Sequence, residues 1–113
     1  MLNIQIKKDN AEYFLKMSGH CGYSEEGRDI VCAAASILCL SLVSLLENDE
    51  SKLKEPPRII VEKGLGEIAF HPKEEYSKEF SGAFLAIETG LELLEKAYPE
   101  YVSIISAKKP NQI

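Results

Sequence analysis

The segment from Ile30 to Leu46, IVCAAASILCLSLVSLL, carries no charge and sets apolar residues on nearly every face of a helix. Asp29, a favoured N-cap type, directly precedes it, which predicts a helix from Ile30 to about Leu46 that is buried on most sides. The run approaches transmembrane length, but Ser36, Ser41 and Ser44 interrupt it. A single span would also leave two apolar, hairpin-like segments elsewhere in the chain without a partner. The helix is therefore expected at the centre of a soluble domain. At 113 residues, 45% apolar and 27% charged, the chain is too short for two cores and too apolar for disorder, so one domain over 1–113 is expected.

The flanking sequence supplies the layers such a helix needs. Leu2, Ile4 and Ile6 alternate with Asn3, Gln5 and Lys7, KDNAE breaks the pattern, and Tyr13 to Ser18 resumes it: strand, turn, strand. Gly19 to Asp29, GHCGYSEEGRD, holds three of the seven glycines and no apolar period, and reads as a mobile loop with Gly19, Gly22 and Gly27 as its flexible points. After the helix, ENDESKLKEPP is a solvated connection in which Pro56 and Pro57 oppose helix. Arg58 to Glu62 and Glu67 to His71, separated by KGLG, form a second hairpin with glycine supplying positive φ.

From Lys73 or Glu74 to Ala97, the residues Tyr76, Phe80, Phe84, Ile87, Leu91, Leu94 and Tyr98 trace the seam of a long amphipathic helix that Pro99 ends. Gly82, Ala86 and Gly90 recur every four residues, and the helical cost of glycine predicts a compensating close approach to the alanine-rich start of the central helix. Val102 to Ser106 is a last strand. The order ββαββαβ predicts an α+β domain: an antiparallel or mixed sheet packed with two helices, the central one largely buried.

Thirteen basic against eighteen acidic residues give a net charge of −5, the wrong sign for direct nucleic-acid binding and suited to a basic peptide or protein partner. MLNIQIKKDN lacks the apolar run and cleavage site of a signal peptide, which places the protein in the cytoplasm and away from a membrane. Three cysteines, with no CxxC or Cys/His ligand spacing, argue for free thiols over disulfides or a metal, and no cofactor is expected.

Any chemistry is expected where the glycine loop meets the central helix. With Asp29 as N-cap, Cys32 falls in the first helical turn, where N–H groups and the dipole favour a thiolate by about 0.3 to 2 kcal/mol. That is too little alone, so a cationic partner is needed. His20, at the end of the second strand, is the candidate, giving a nucleophile and its general base. Gly27 and the backbone N–H groups near Cys32 are the candidate oxyanion donors.

Gly19-His20, a short glycine-containing loop, then Gly27-x-Asp29-x-Val31-Cys32-Ala33-Ala34-x-Ser36 closely resembles the signature of the ribosomal-processing cysteine protease family, Prp. The likeness continues through Gly90-Leu91 to Tyr98-Pro99-Glu100-Tyr101-Val102 and so spans nearly the whole chain. The resemblance implies a small, bacterial, cytoplasmic, generally homodimeric endopeptidase that removes a short N-terminal extension from a large-subunit ribosomal protein. It implies His20 as base, Cys32 as nucleophile, an acyl-enzyme and no cofactor. The family's extension bears apolar and aromatic residues and the mature protein beyond it is basic, which matches the acidic charge here.

Around this pair several assignments stay open. Asp29 either orients His20 as the third member of a triad or only caps the helix. Ser36, one turn after Cys32, either serves the site or bonds back to a carbonyl. Cys39 shares the face of Cys32 but lies two turns deeper, as inert core. Cys21 stands where the family often has a small residue such as alanine, and an oxidative link to Cys32 is conceivable, although reducing cytosol opposes it. His71, ahead of Pro72, reads as a surface turn. Leu85 and Leu93 fall off the amphipathic seam and could cover a dimer contact. A thiol redox sensor and a non-catalytic ribosome-assembly binding module are the competing classes.

Overall fold

The computed structural model describes residues 1–9 and 11–107. The residue Asn10 of the first turn and the last six of the expected domain lie outside the described residues. Strands β1 (Leu2–Asp9), β2 (Glu12–Ser18), β3 (Arg58–Glu62), β4 (Leu65–Phe70) and β5 (Val102–Ala107) and helices α1 (Ile30–Asn48) and α2 (Ser77–Ala97) follow the expected ββαββαβ order.

The strands form one sheet in the order β3-β4-β2-β1-β5. Both hairpins are antiparallel, β2 pairs antiparallel with β4, and β5 returns beside β1 in parallel, Ile4 opposite Ile104. The sheet is therefore mixed, and its alternation decides its sidedness. Leu2, Ile4, Ile6, Tyr13, Leu15, Met17 and Ile68 are buried, while Asn3, Gln5 and Lys7 are exposed. Tyr13 stacks on Phe70 at 5.0 Å and meets Phe84 of α2 at 4.9 Å, joining sheet and helix through aromatic contact.

The seam of α2 holds at Phe80, Phe84, Leu91 and Leu94, all buried. Two details differ from expectation. Residues Glu74–Tyr76 form a 3₁₀ turn, so the α-helix proper starts at Ser77. Glu88, buried on the same seam, accepts a 2.7 Å ion pair from Lys8 of β1, which allows a carboxylate to replace an apolar residue there.

Helix α1 is less enclosed than its composition suggests, correcting the expectation of burial on most sides. Val31, Ala35, Cys39, Leu42, Val43 and Leu46 are buried, whereas Ile30, Ile37 and Leu40 are exposed. The sheet and α2 cover one side of it, and among the described residues nothing covers the side that carries Ile30, Ile37 and Leu40. By length and composition α1 could cross a membrane, but its packed face belongs to the same core as the sheet.

The glycine expectation is also corrected. A Cβ on Gly90 would lie 3.0 Å from both terminal carbons of Leu38, in the middle of α1 and not at its alanine-rich start. A Cβ on Gly82 would meet nothing within 4 Å. Gly82→Ala is accordingly expected to stabilise the domain by about 1 kcal/mol through helix propensity. Gly90→Ala is expected to lose at least that gain by overpacking against Leu38. Chemical denaturation of the two variants side by side checks both.

Candidate active site

The site is built where three pieces of backbone converge at one end of the sheet. After Ser18 of β2, the Gly19 N–H donates to Gly64 O at 2.9 Å, so the β2–β4 ladder continues one step past the strands. Gly19 has φ +92°, and a Cβ there would lie 2.7 Å from the Met1 carbonyl oxygen. Only glycine fits both demands. The chain then delivers His20, exposed, over the β3–β4 turn: a Cβ on Gly64 would sit 3.2 Å from His20 Nε2.

Gly64→Ala would both strain a backbone at φ +76° and push on that imidazole. We expect it to displace the His20 ring and to cut any turnover that depends on that imidazole by about tenfold or more, with modest loss of stability. Peptide-cleavage kinetics alongside a thermal melt separate the two effects.

Asp29 supplies the next constraint. It starts α1 in an extended conformation, and its carboxylate collects four backbone donors. Oδ1 accepts Val31 N–H at 3.0 Å and Cys32 N–H at 2.9 Å, while Oδ2 accepts Tyr23 N–H at 3.0 Å and Ser24 N–H at 3.3 Å. Burial alone would raise its proton affinity, but these N–H groups outweigh that and hold the carboxyl below the usual range. The structure thus gives Asp29 as cap and loop anchor, with both oxygens engaged and neither directed to His20.

This bonding corrects the expected oxyanion donors near Cys32, while Gly27, the other expected donor, lines the cleft beside it. Val31 and Cys32 N–H are taken by the Asp29 side chain and Ala33 N–H by its carbonyl at 3.0 Å, so the first turn has no spare donors at these three positions. The donor that faces the Cys32 sulfur is instead Cys21 N–H, at 3.5 Å.

The loop has the glycine turns its sequence implies. Gly19, Gly22 and Gly27 all have positive φ, +92°, +75° and +87°, as glycine turns require. The first half of the loop also makes contacts that its composition does not signal. Cys21 is buried, Asp29 holds Tyr23 and Ser24, and the Tyr23 ring meets Tyr98 at 5.4 Å and Tyr101 at 5.2 Å, edge-on. The outer tip carries an exposed Glu26–Lys63 ion pair at 3.1 Å, which contributes little.

His20, Cys32 and Ser36 line two adjoining clefts together. One, of about 160 Å³, is walled by Leu2, Met17, Ala35, Leu40, Val61 and Leu65. The other, the more polar of the two, runs along Gly22, Ser24, Glu26, Gly27 and Asp29. Cys32 is half-buried at their junction. The Ser36 hydroxyl, unlike that of Ser41, which bonds back to Ile37 O at 2.6 Å, has no partner in the protein among the described residues. It is left to face the clefts.

Cys39 is buried against Gly66, whose Cβ would stand 3.1 Å from its sulfur, and burial raises its thiol. His71 lies elsewhere, half-buried with Nδ1 3.5 Å from Glu55 and 3.8 Å from Glu12. Ligand atoms of Cys21, Asp29 and Cys32 lie within 4.8 Å of one another, but the four N–H bonds to Asp29 already occupy the oxygens a metal would need.

Against known proteins, the family model described as "Cysteine protease Prp" matches residues 1–103. The chain belongs to the cysteine protease Prp family. It is by that membership a cysteine protease. No curated protein sequence matches it significantly. Among solved structures, the S. aureus protein described as an essential ribosomal processing protease Prp, with a covalently linked product peptide, superposes with a TM-score of 0.74 at 22% identity, covering 95% of this chain and 100% of that one. The same protease with a substrate peptide gives 0.69 at 21% over 95% and 100%. The protein SMU.848 from Streptococcus mutans gives 0.69 at 24% over 96% of each chain. These likenesses show that the Prp fold extends over nearly all of the present chain.

The β3–β4 turn as a wall of the Prp site was not legible in the sequence. KGLG signalled a hairpin, and Gly64 a positive φ, but no local signal says that this turn lies beneath His20.

Proposed function

We propose that this family member is an endopeptidase that removes a short N-terminal extension from a large-subunit ribosomal protein, with Cys32 as nucleophile and His20 as its acid and base. The observation that carries the reading is that His20 and Cys32, brought from a strand end and a helix start, line the same two clefts. The Cys32 thiolate adds to the scissile carbonyl. His20 protonates the departing amine as the C–N bond breaks, leaving an acyl-enzyme, and then takes a proton from the water that hydrolyses the thioester. The chemistry needs no cofactor.

The apolar cleft suits the apolar or aromatic side chains implied for the extension, and the net charge of −5 suits a basic mature protein beyond the cut. The S. aureus relatives, described as ribosomal processing proteases with substrate and product peptides, support the same substrate class. Ser36 would hydrogen-bond peptide backbone from the cleft wall. A cytoplasmic homodimer belongs to this reading, with exposed Leu85 and Leu93 of α2 available for a contact between copies. Light scattering of purified protein tests the oligomeric state.

The deciding experiment is incubation of the reduced protein with a peptide spanning the precursor junction, read by mass. One cut at the mature terminus is expected. Binding of the peptide by well-folded protein with no cut would overturn the proposal in favour of a binding module.

A further inference from the structure

The proposed hydrolysis does not use the Cys21 thiol, yet that thiol is buried beside the nucleophile. Its side chain is 2% exposed, its N–H faces the Cys32 sulfur at 3.5 Å, and the two sulfurs lie within 4.8 Å of each other. We infer that Cys21 is a resolving thiol, which captures oxidised Cys32 as a Cys21–Cys32 disulfide and so makes the protease reversibly sensitive to peroxide. The inference rests on the reading of Cys32 as the accessible nucleophile.

The order of events follows from exposure. Cys32 opens onto two clefts and Cys21 onto neither, so a peroxide meets Cys32 first. The thiolate attacks one peroxide oxygen and the O–O bond breaks. Sulfur is oxidised by two electrons to the sulfenic acid, and hydroxide leaves. The Cys21 sulfur then displaces the sulfenic oxygen, forming the S–S bond and releasing water. A dithiol reductant restores both thiols and is itself oxidised to a disulfide.

Two features favour closure over further oxidation. The sulfurs must approach from within 4.8 Å to about 2.05 Å, and Cys21 sits in non-regular backbone between Gly19 and Gly22, where small torsional changes can supply the movement. Electrostatics also keep Cys21 silent until it is needed. In the reduced site its thiol is pushed up to about 12 by burial, by its hydrogen bond to Cys32, and by the charges of Cys32 and Asp29. Conversion of the Cys32 thiolate to a neutral sulfenic acid removes the Cys32 charge from these causes, and the resolving thiol becomes easier to ionise as its target appears.

The test treats the reduced full chain with hydrogen peroxide and reads non-reduced mass, tryptic fragments and peptide cleavage. Cleavage after Arg28 separates Cys21 from Cys32, so a link joins two peptides, and fragmentation distinguishes Cys32 from Cys39 in the second. Wild type is expected to lose about 2 Da, show the Cys21–Cys32 link, fall at least about tenfold in rate and recover with dithiothreitol. Cys21→Ala and the near-isosteric Cys21→Ser, each compared with its own untreated rate, are expected to gain two or three oxygens at Cys32, as sulfinic or sulfonic acid, and to stay inactive after reduction. Sulfinic acid at Cys32 in wild type with no link, or a link to Cys39, would overturn the inference while leaving the protease reading intact. The Cys21–Cys32 link in a protein that does not cut the precursor-junction peptide would sustain Cys21 as the resolving thiol and remove the proposed processing function.

Discussion

Cys32→Ala is expected to reduce cleavage of the precursor-junction peptide to background, a loss of roughly 10⁴-fold or more, and His20→Ala to cost nearly as much. Neither change should unfold the protein. His20 is exposed and Cys32 half-buried, and alanine at position 32 keeps the N–H that Asp29 caps. In the proposed mechanism the two side chains act as one unit, so the double variant should be little worse than either single one. Additive losses would mean that they serve separate steps. Matching thermal melts for all three variants, together with single-turnover kinetics, complete the measurement.

Asp29→Ala is expected to have the largest effect on the fold itself, a loss of about 3 kcal/mol, because a helix cap disappears and the donors it satisfied lose their acceptor. For a domain of about 5 to 15 kcal/mol total stability that is a substantial part. Asp29→Asn separates the two jobs of the carboxylate. The amide oxygen can keep Val31 and Cys32, but the amide nitrogen then faces the N–H groups of Tyr23 and Ser24, donor against donor. About half of the stability loss should return while the loop that carries Cys21 is released from α1. Cleavage should remain impaired in the asparagine variant even where the helix is restored.

The pH dependence has a fixed sign. The folded Asp29 carboxyl lies below its unfolded value of about 3.9, so its stabilisation is complete above that pH and disappears as pH falls through the folded value. Asp29→Ala should therefore be less stable than wild type near neutrality and approach it in acid, as denaturant melts across that range would show.

Much of the site was legible because its parts are local in sequence. An acid before an apolar helix is a cap by residue type alone, and it fixes Cys32 in the first turn. A glycine–histidine pair at the end of an alternating strand marks a departure from the sheet. Whether Asp29 turns toward His20 or toward backbone was open in the sequence, since one carboxylate satisfies either pattern. Four N–H groups converging on its two oxygens decided it. Likewise, GHCGYSEEGRD has the composition of a free loop. Its tether is an aromatic contact between Tyr23 and Tyr98 with Tyr101, more than seventy residues away.

The same division runs through the fold. Alternation, helical period, caps and glycine breaks are properties of neighbouring residues, and they determined the seven elements, their order, the start of α1 after Asp29 and the pairing of a thiol with an imidazole as a chemical idea. Tertiary structure alone decided that β5 closes against β1 in parallel, that Gly90 and not Gly82 meets α1, that the β3–β4 turn supports His20, and that Cys21 lies against Cys32. These depend on which distant surfaces fill each other's space, and a linear pattern records how residues repeat along the chain but not what they meet across it.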